Sequence, residues 1–230
     1  MQTLKKKISA IKAGKNPLVQ RSQVFLDGKF AFSLDNEVIL KEKLKIGQVL
    51  GQREIDLLNG ADRHQKCLNA AYSFLTPRPR SEAETRRRLA QKGYNASEID
   101  PVLVQLKGLS LIDDQAFAEY WKENRTAFRP RSQRALKNEL RQKGVEIEVV
   151  NAAIESVDET GGALQAARTK ARTLSAADFI IFRQKVAGFL QRRGYAYNVI
   201  KPVITQIWQE KTGEANPDVD SGEETGYSQH

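Results

Sequence analysis

The chain has 230 residues, of which 40% are hydrophobic and 28% are charged. Its 37 Lys and Arg residues exceed its 28 Asp and Glu residues, and the formal charge is +9. One cysteine excludes a disulfide framework, and two histidines leave almost no room for a zinc site or histidine-based catalysis. No apolar run is long enough to span a membrane and no signal peptide follows Met1, so we expect a cytoplasmic protein with no membrane partner.

The positive charge lies outside the C-terminal segment. Residues 211–230 hold five acidic side chains and one lysine, which leaves +13 on the rest of the chain. This segment also has few apolar side chains with which to offset the entropy of ordering, so we predict a disordered acidic tail over residues 211–230. The basic body favours an acidic partner, either nucleic acid or a protein that carries nucleic acid.

Residues 1–60 have the pattern of a small β-rich N-terminal domain. Val24–Phe32 reads as two strands around Asp27-Gly28, a pair that accepts the positive φ angles of a tight hairpin. Residues 4–12 predict a third strand. Leu34-Asp35-Asn36-Glu37, followed by three apolar residues, predicts a short capped helix.

Beyond residue 60 the sequence is helical and repeats at intervals of 51 and 50 residues. Arg-Pro-Arg-Ser occurs at residues 78–81 and 129–132, and a basic helix end followed by glycine recurs at 89–93, 140–144 and 190–194. Glycine after a cationic last turn is a typical helix stop. The positions 6, 9, 10 and 13 residues after each glycine are apolar and share one helical face: Ile99, Val102, Leu103, Leu106, Val150, Ala153, Ile154, Val157, Ile200, Val203, Ile204 and Ile207.

These patterns predict a mainly α protein with three tandem three-helix repeats in an elongated array behind the small β-rich domain. The predicted limits are 61–110 for repeat 1, 111–159 for repeat 2 and 160–210 for repeat 3. The first helices of the repeats are expected at His64–Leu75, Asp114–Phe128 and Gly162–Leu174.

Two finer predictions concern single positions in these helices. An aromatic stripe on the first helix of repeat 2 is expected to lie in the core; its members are Phe117, Trp121 and Phe128. Ser97 and Asn198 are expected to cap the third helices of repeats 1 and 3. Each following proline, Pro101 or Pro202, would then lie in the first turn, where its missing N–H is not needed.

No catalytic constellation is present in the sequence. A glycine-rich phosphate loop and a dinucleotide fingerprint are both missing. His64 and Cys67 lie three residues apart on a predicted helix, but two ligands do not make a metal site, so a structural role is favoured. We therefore expect no enzymatic activity, no metal and no cofactor.

Basic residues on the second helix of repeat 1 follow acidic ones. Arg86 lies four residues after Glu82, and Arg88 lies four residues after Glu84. Such pairs stabilise a helix, so the simplest interpretation of this cluster is structural. Ser81 and Glu84 also form a capping-box pattern.

The second helix of repeat 2 has a different pattern. Arg134, Lys137 and Arg141 fall on one narrow stripe with no acid among them. Like charges at this spacing destabilise a helix by roughly 0.2–0.5 kcal/mol per pair. Because the sequence keeps the stripe despite this cost, we favour a functional interpretation over a merely solvated face. We therefore expect the middle repeat to contact a polyanion.

Arginines also flank the prolines that precede these two helices, where the helix N-terminus adds positive potential. This arrangement suits a carboxylate or a phosphate, and equally suits a structural turn whose arginines pack on a neighbouring helix. The candidate binding residues come from these loops, from the second helices and from the C-terminal ends of the second helices. They are Arg78, Arg80, Arg86, Arg129, Arg131, Arg134, Lys137, Arg141, Lys143, Arg192 and Arg193.

The sequence over about residues 62–210 resembles the RecX family of bacterial recombination regulators. The matching segments are Arg78-Pro79-Arg80-Ser81-Glu82, Lys92-Gly93-Tyr94, Leu109–Ala118, Leu140–Val145 and Phe189–Tyr195. In repeat 3, Phe179-Ile180-Ile181-Phe182 replaces the Arg-Pro-Arg-Ser segment, so contacts carried by that tetrapeptide are not transferred there.

The resemblance implies a non-enzymatic regulator of the RecA recombinase. Such a protein binds RecA filaments on single-stranded DNA and restrains their growth, ATP hydrolysis and strand exchange. It contacts single-stranded DNA directly or through RecA, and it acts in homologous recombination, DNA repair and the SOS response. We expect a monomer with no cofactor.

The alternative is a direct DNA-binding regulatory protein built from helix-turn-helix-like units, since a three-helix unit can present a recognition helix. Against this alternative, no second helix shows a base-reading pattern of Asn and Arg, and no dimerising segment is visible.

Overall fold

The computed structural model describes residues 5–14 and 20–213. The predicted start of the acidic tail at residue 211 was wrong, since Lys211 and Thr212 belong to the last helix, and the tail from residue 214 onward lies outside the described ranges. The strands are β1 (Lys6–Ala13), β2 (Arg21–Leu26), β3 (Lys29–Asp35) and β4 (Val49–Leu50). The helices are α1 (Asn36–Lys41), α2 (Gln52–Leu75), α3 (Glu82–Gln91), α4 (Ala96–Gly108), α5 (Asp114–Phe128), α6 (Gln133–Gln142), α7 (Ile147–Ile154), α8 (Glu159–Ala171), α9 (Phe179–Gln191) and α10 (Tyr197–Thr212). The chain divides after Ile112 into two compact units.

The first unit begins with a four-stranded antiparallel sheet of order β3-β2-β1-β4. The predicted hairpin is present, and its turn has φ angles of 49° at Asp27 and 82° at Gly28. The predicted third strand is β1, and the predicted capped helix is α1, whose first turn donates from the Glu37 N–H to the Asp35 carboxylate at 3.0 Å. The two-residue strand β4 is too short to show any alternation in the sequence, and it was not predicted.

Helix α2 is longer than predicted, because it begins at Gln52 rather than at His64. Its first half packs on the sheet through Leu58, and its second half packs on the core of repeat 1 through Cys67 and Leu68. Two positions on its inward face are polar, since Asp62 and Gln65 are both buried. The predicted limit at residue 60 falls inside this helix.

Three three-helix repeats follow, as predicted: the second half of α2 with α3 and α4, then α5 to α7, then α8 to α10. Of the twelve apolar positions after the repeat glycines, eleven are buried and Val157 is half-buried. The three glycines have φ angles of 90° at Gly93, 79° at Gly144 and 92° at Gly194, which confirms their role as helix stops.

The two finer predictions were wrong in part. The N-caps of α4 and α10 are Asn95 and Ala196, so Pro101 and Pro202 lie in the second turn of each helix, where each removes one backbone hydrogen bond. On α5, Phe117 is buried but Phe128 is 78% exposed. The reason is length: α5 has 15 residues, whereas α6 has 10 and α7 has 8, so its last turn extends beyond the helices that cover its first turns.

Within the described ranges, no helix combines the length and the apolar character that crossing a bilayer requires.

Candidate functional site

The predicted basic residues of repeat 1 are held by partners inside the repeat. Arg78 pairs with Glu84 at 3.2 Å, and the guanidinium carbon of Arg80 lies 4.3 Å from the centre of the Phe74 ring. Arg86 pairs with Glu82, as predicted, at 3.5 Å.

Asp100 of α4 is a further partner of Arg86, and its hydrogen bond is the main cause of a raised pKa for the Arg86 guanidinium. The predicted pair between Glu84 and Arg88 does not form in the described part of the chain. The guanidinium of Arg88 instead lies 6.0 Å from the centre of the Phe74 ring.

The predicted stripe of repeat 2, which we call the α6 stripe, consists of Arg134, Lys137 and Arg141. Arg134 and Arg141 are exposed, and half-buried Lys137 donates to the side-chain oxygen of Asn151 at 2.9 Å. None of the three forms an ion pair with an acid in the described ranges. The only acid on α6 is Glu139, which the helical period places about 170° from the centre of the stripe.

Glu139 gathers three donors on the opposite side of α6. Its carboxylate accepts from Arg125 at 2.7 Å, from Arg131 at 2.8 Å and from the indole N–H of Trp121 at 2.8 Å. Lys143 lies 4.2 Å from the centre of the Trp121 ring, close enough for a cation–π contact. The candidates Arg131 and Lys143 are therefore held on the α5 side, away from the α6 stripe.

A second basic cluster forms where repeat 3 meets repeat 2. The Ser132 N–H donates to the carbonyl of Arg193 at 3.2 Å, which joins the Arg-Pro-Arg-Ser loop before α6 to the corner between α9 and α10. Four predicted binding residues lie in the loop before α6 and in the corner between α9 and α10. We call them the arginine junction: Arg129, Arg131, Arg192 and Arg193. The sequence placed them in two separate motifs, and the structure brings them together.

Burial and neighbouring positive charges act together on Arg193. Its guanidinium carbon lies 3.7 Å from the centre of the Phe189 ring. Its pKa is lowered, first by burial and then by the positive charges of Arg131, Arg129 and Arg192, while Tyr195 acts in the opposite direction. The cluster therefore holds like charges close together.

The sequence interpretation missed Trp121, Arg125 and Glu139, which organise the basic residues of repeat 2. The sequence signal was weak, because no two of them have the helical i, i+3 spacing and only Trp121 and Arg125 are four apart. No group of three or more His, Cys, Asp or Glu side chains in the described residues is arranged to hold a metal ion. Cys67 is fully buried, and His64 shares a hydrogen bond with Gln105 instead.

Family models match four consecutive segments of the chain. The RecX N-terminal domain matches residues 6–51, and the first, second and third three-helix domains of RecX match residues 67–106, 113–154 and 159–204. The chain belongs to the RecX family. Membership confirms the resemblance seen in the sequence and the architecture of three three-helix domains behind a β-containing N-terminal domain.

Known RecX proteins match over most of their length. The regulatory protein RecX of Listeria monocytogenes serotype 4b (strain F2365) is 31% identical over 195 residues, which are 83% of this chain and 72% of the relative. The regulatory protein RecX of Clostridium botulinum (strain Eklund 17B / Type B) is 28% identical over 192 residues, covering 81% of this chain and 90% of the relative.

Two crystal structures show the same fold. One, of a regulatory protein RecX, is 25% identical with a TM-score of 0.66 and covers 86% of this chain and 98% of its own. The other, of RecX from Lactobacillus salivarius, is 21% identical with a TM-score of 0.55 and covers 64% of this chain and 97% of its own.

Proposed function

We propose that this RecX-family protein binds RecA filaments assembled on single-stranded DNA and inhibits recombinase activity, in homologous recombination and DNA repair. Membership in a family of regulatory proteins supports a role in regulation. The observation that carries the proposal is the α6 stripe: three cations on one helix face, without an acid from the described residues to neutralise them. Such a face is suited to a polyanion, and a RecA filament carries one.

The stripe has the dimensions of an extended contact. Arg134 and Arg141 are separated by about 10 Å along the helix axis, with Lys137 between them. Because both arginines are exposed and have no acidic partner among the described residues, they can turn towards phosphates or acidic side chains without first breaking an ion pair. In repeat 1, turning Arg86 towards a ligand would first break its ion pairs with Glu82 and Asp100.

Co-sedimentation with RecA filaments tests the proposal. The variant Arg134→Gln/Lys137→Gln/Arg141→Gln should sediment less with filaments, and its binding should depend less on salt. If the lost contacts are to phosphates of single-stranded DNA, the slope of log affinity against log salt should fall by about 0.7 for each contact.

A matched control is Arg86→Gln/Arg87→Gln/Arg88→Gln, which removes three charges from the equivalent helix of repeat 1. This variant should keep most of its affinity and lose some stability, since it breaks ion pairs inside repeat 1. A larger loss of affinity in the control than in the α6 variant would show that the contact surface is misplaced.

Direct DNA binding is the second candidate, since the α6 stripe would also suit the phosphates of bare DNA. Titration against single-stranded DNA with and without RecA and nucleotide separates the two functions. Tighter binding to the filament supports the RecA proposal, whereas equal affinity for both favours direct DNA binding.

A further inference from the structure

We propose that the arginine junction is a binding site for a phosphate group, formed jointly by repeats 2 and 3. This site shares no residue with the α6 stripe, and the inference does not depend on RecA binding. Its ligand class is a tetrahedral phosphate oxyanion, supplied either by the phosphodiester backbone of a nucleic acid or by free inorganic phosphate.

The fold holds the two halves of the site firmly together. Ser132 is 1% exposed, and its hydroxyl caps α6 by accepting from the Ala135 N–H at 3.1 Å. Gly194 lies directly against this cap, because a Cβ atom on it would be 2.5 Å from the Ser132 hydroxyl and 2.8 Å from the Ala135 Cβ. The packing of Gly194 against Ser132 therefore fixes the position of Arg131 relative to Arg193, the neighbours of these two residues in the chain.

The donors of the junction are largely unused. Arg131 pairs with Glu139, but it shares that carboxylate with Arg125. Arg129 and Arg192 are exposed and form no ion pair with a described residue. The Nε atom of Arg193 is buried and has no hydrogen-bond partner among the described residues.

The acids at the edge of the junction are already engaged. Glu159 accepts from the Gln133 N–H at 2.8 Å, and Asp158 caps α8 by accepting from the Gly161 N–H at 2.9 Å. Burying an arginine donor without a partner and gathering like charges are both unfavourable. An oxyanion at the junction would relieve both costs.

A buried neutral donor lies beside the loop. Tyr195 is 2% exposed, and its hydroxyl has no hydrogen-bond partner among the described residues. Both this hydroxyl and Pro130 border Gly162, where an added Cβ would be 3.0 Å from the hydroxyl oxygen and 3.8 Å from the Pro130 Cβ. Burial raises the pKa of Tyr195 to about 12, so the hydroxyl keeps its proton at neutral pH.

The number of donors favours phosphate over carboxylate. Two arginines and one indole are enough to satisfy the carboxylate of Glu139. Arg131 is one of those two arginines, so the junction adds the donor forks of Arg129, Arg192 and Arg193. A phosphate has more acceptor oxygens and more charge than a carboxylate with which to use them.

Thermal unfolding of the full chain tests the site without RecA. Inorganic phosphate should raise the melting temperature above that measured in sodium chloride of equal ionic strength and pH. The variant Arg129→Gln/Arg192→Gln, whose changes are exposed and compatible with folding, should weaken phosphate binding about tenfold or more, since each hydrogen bond to a charged group is worth about that factor. The control Arg172→Gln/Lys185→Gln removes two exposed charges elsewhere in the same unit and should bind phosphate like the unmodified chain.

The comparison of these two variants separates specific binding from the general stabilising effect of phosphate on folded proteins. If phosphate raised the melting temperature of both variants equally, the proposal would be overturned. An oligomer of abasic deoxyribose phosphate distinguishes the source: tighter binding of this oligomer assigns the site to phosphodiesters, and tighter binding of inorganic phosphate assigns it to the free ion. A preference for poly-glutamate over both would also overturn the proposal. Because RecA is absent, failure here leaves the α6 stripe proposal standing.

Discussion

Replacing Gly194 with alanine tests the contact between repeats 2 and 3 on which the arginine junction depends. An alanine at the φ angle of 92° costs about 1–2 kcal/mol in backbone strain. Its Cβ would also be 2.5 Å from the Ser132 hydroxyl and 2.8 Å from the Ala135 Cβ, and overpacking of this kind costs typically about 1–3 kcal/mol. We therefore expect Gly194→Ala to lower the free energy of unfolding by about 2–5 kcal/mol.

Gly93 provides a matched control at the same place in repeat 1. Its φ angle is 90°, but no atom lies within 4 Å of an added Cβ. Gly93→Ala should therefore cost only the backbone part, about 1–2 kcal/mol.

Urea denaturation measures the difference. Both tryptophans, Trp121 and Trp208, lie in the second unit, so their fluorescence reports on Gly194→Ala, whereas far-UV circular dichroism follows Gly93→Ala in the first unit. If Gly194→Ala costs no more than Gly93→Ala, the close approach to Ser132 and Ala135 is wrong, and with it the geometry of the arginine junction.

Three further outcomes are expected. The thiol of Cys67 should react with a disulfide reagent only after unfolding, because burial and then Glu98 raise its pKa to about 11; rapid labelling of the folded chain would contradict its burial. Asp62 is buried, which by itself raises its pKa, but hydrogen bonds led by that from Arg21 reverse the direction and hold the pKa below 3.8. Its stabilising effect is therefore present above pH 3.8 and is lost as pH falls below that value, and Asp62→Asn should cost about 3 kcal/mol at neutral pH and remove this part of the pH dependence in urea titrations. Deleting residues 214–230 removes five acidic side chains and should tighten filament binding at low but not at high ionic strength; unchanged affinity at low salt would assign the tail no part in binding.

Much of the fold was predictable because its signals are local. The hairpin followed from Asp27-Gly28, and the three repeats followed from glycine stops and from apolar positions on one helical face. The errors arose where a signal was weak or was read without its packing context. The first half of α2 packs on the sheet through Leu58, and the exposure of Phe128 depends on the lengths of α6 and α7.

The candidate site was predictable in composition but not in arrangement. The sequence identified the α6 stripe because Arg134, Lys137 and Arg141 share a single helix, on which the period alone sets the direction of each side chain. It also identified every arginine of the junction, but it assigned them to unrelated motifs.

The sequence by itself thus determined where the helices end, which faces are apolar and which residues carry the positive charge. Only the tertiary structure decided which of those charges are neutralised and which remain available. The physical reason is that the deciding contacts join different helices: Arg86 reaches Asp100 of α4, and Arg125 reaches Glu139 of α6. The Ser132–Arg193 contact likewise joins two repeats, and its position depends on how helices pack, which no local period encodes.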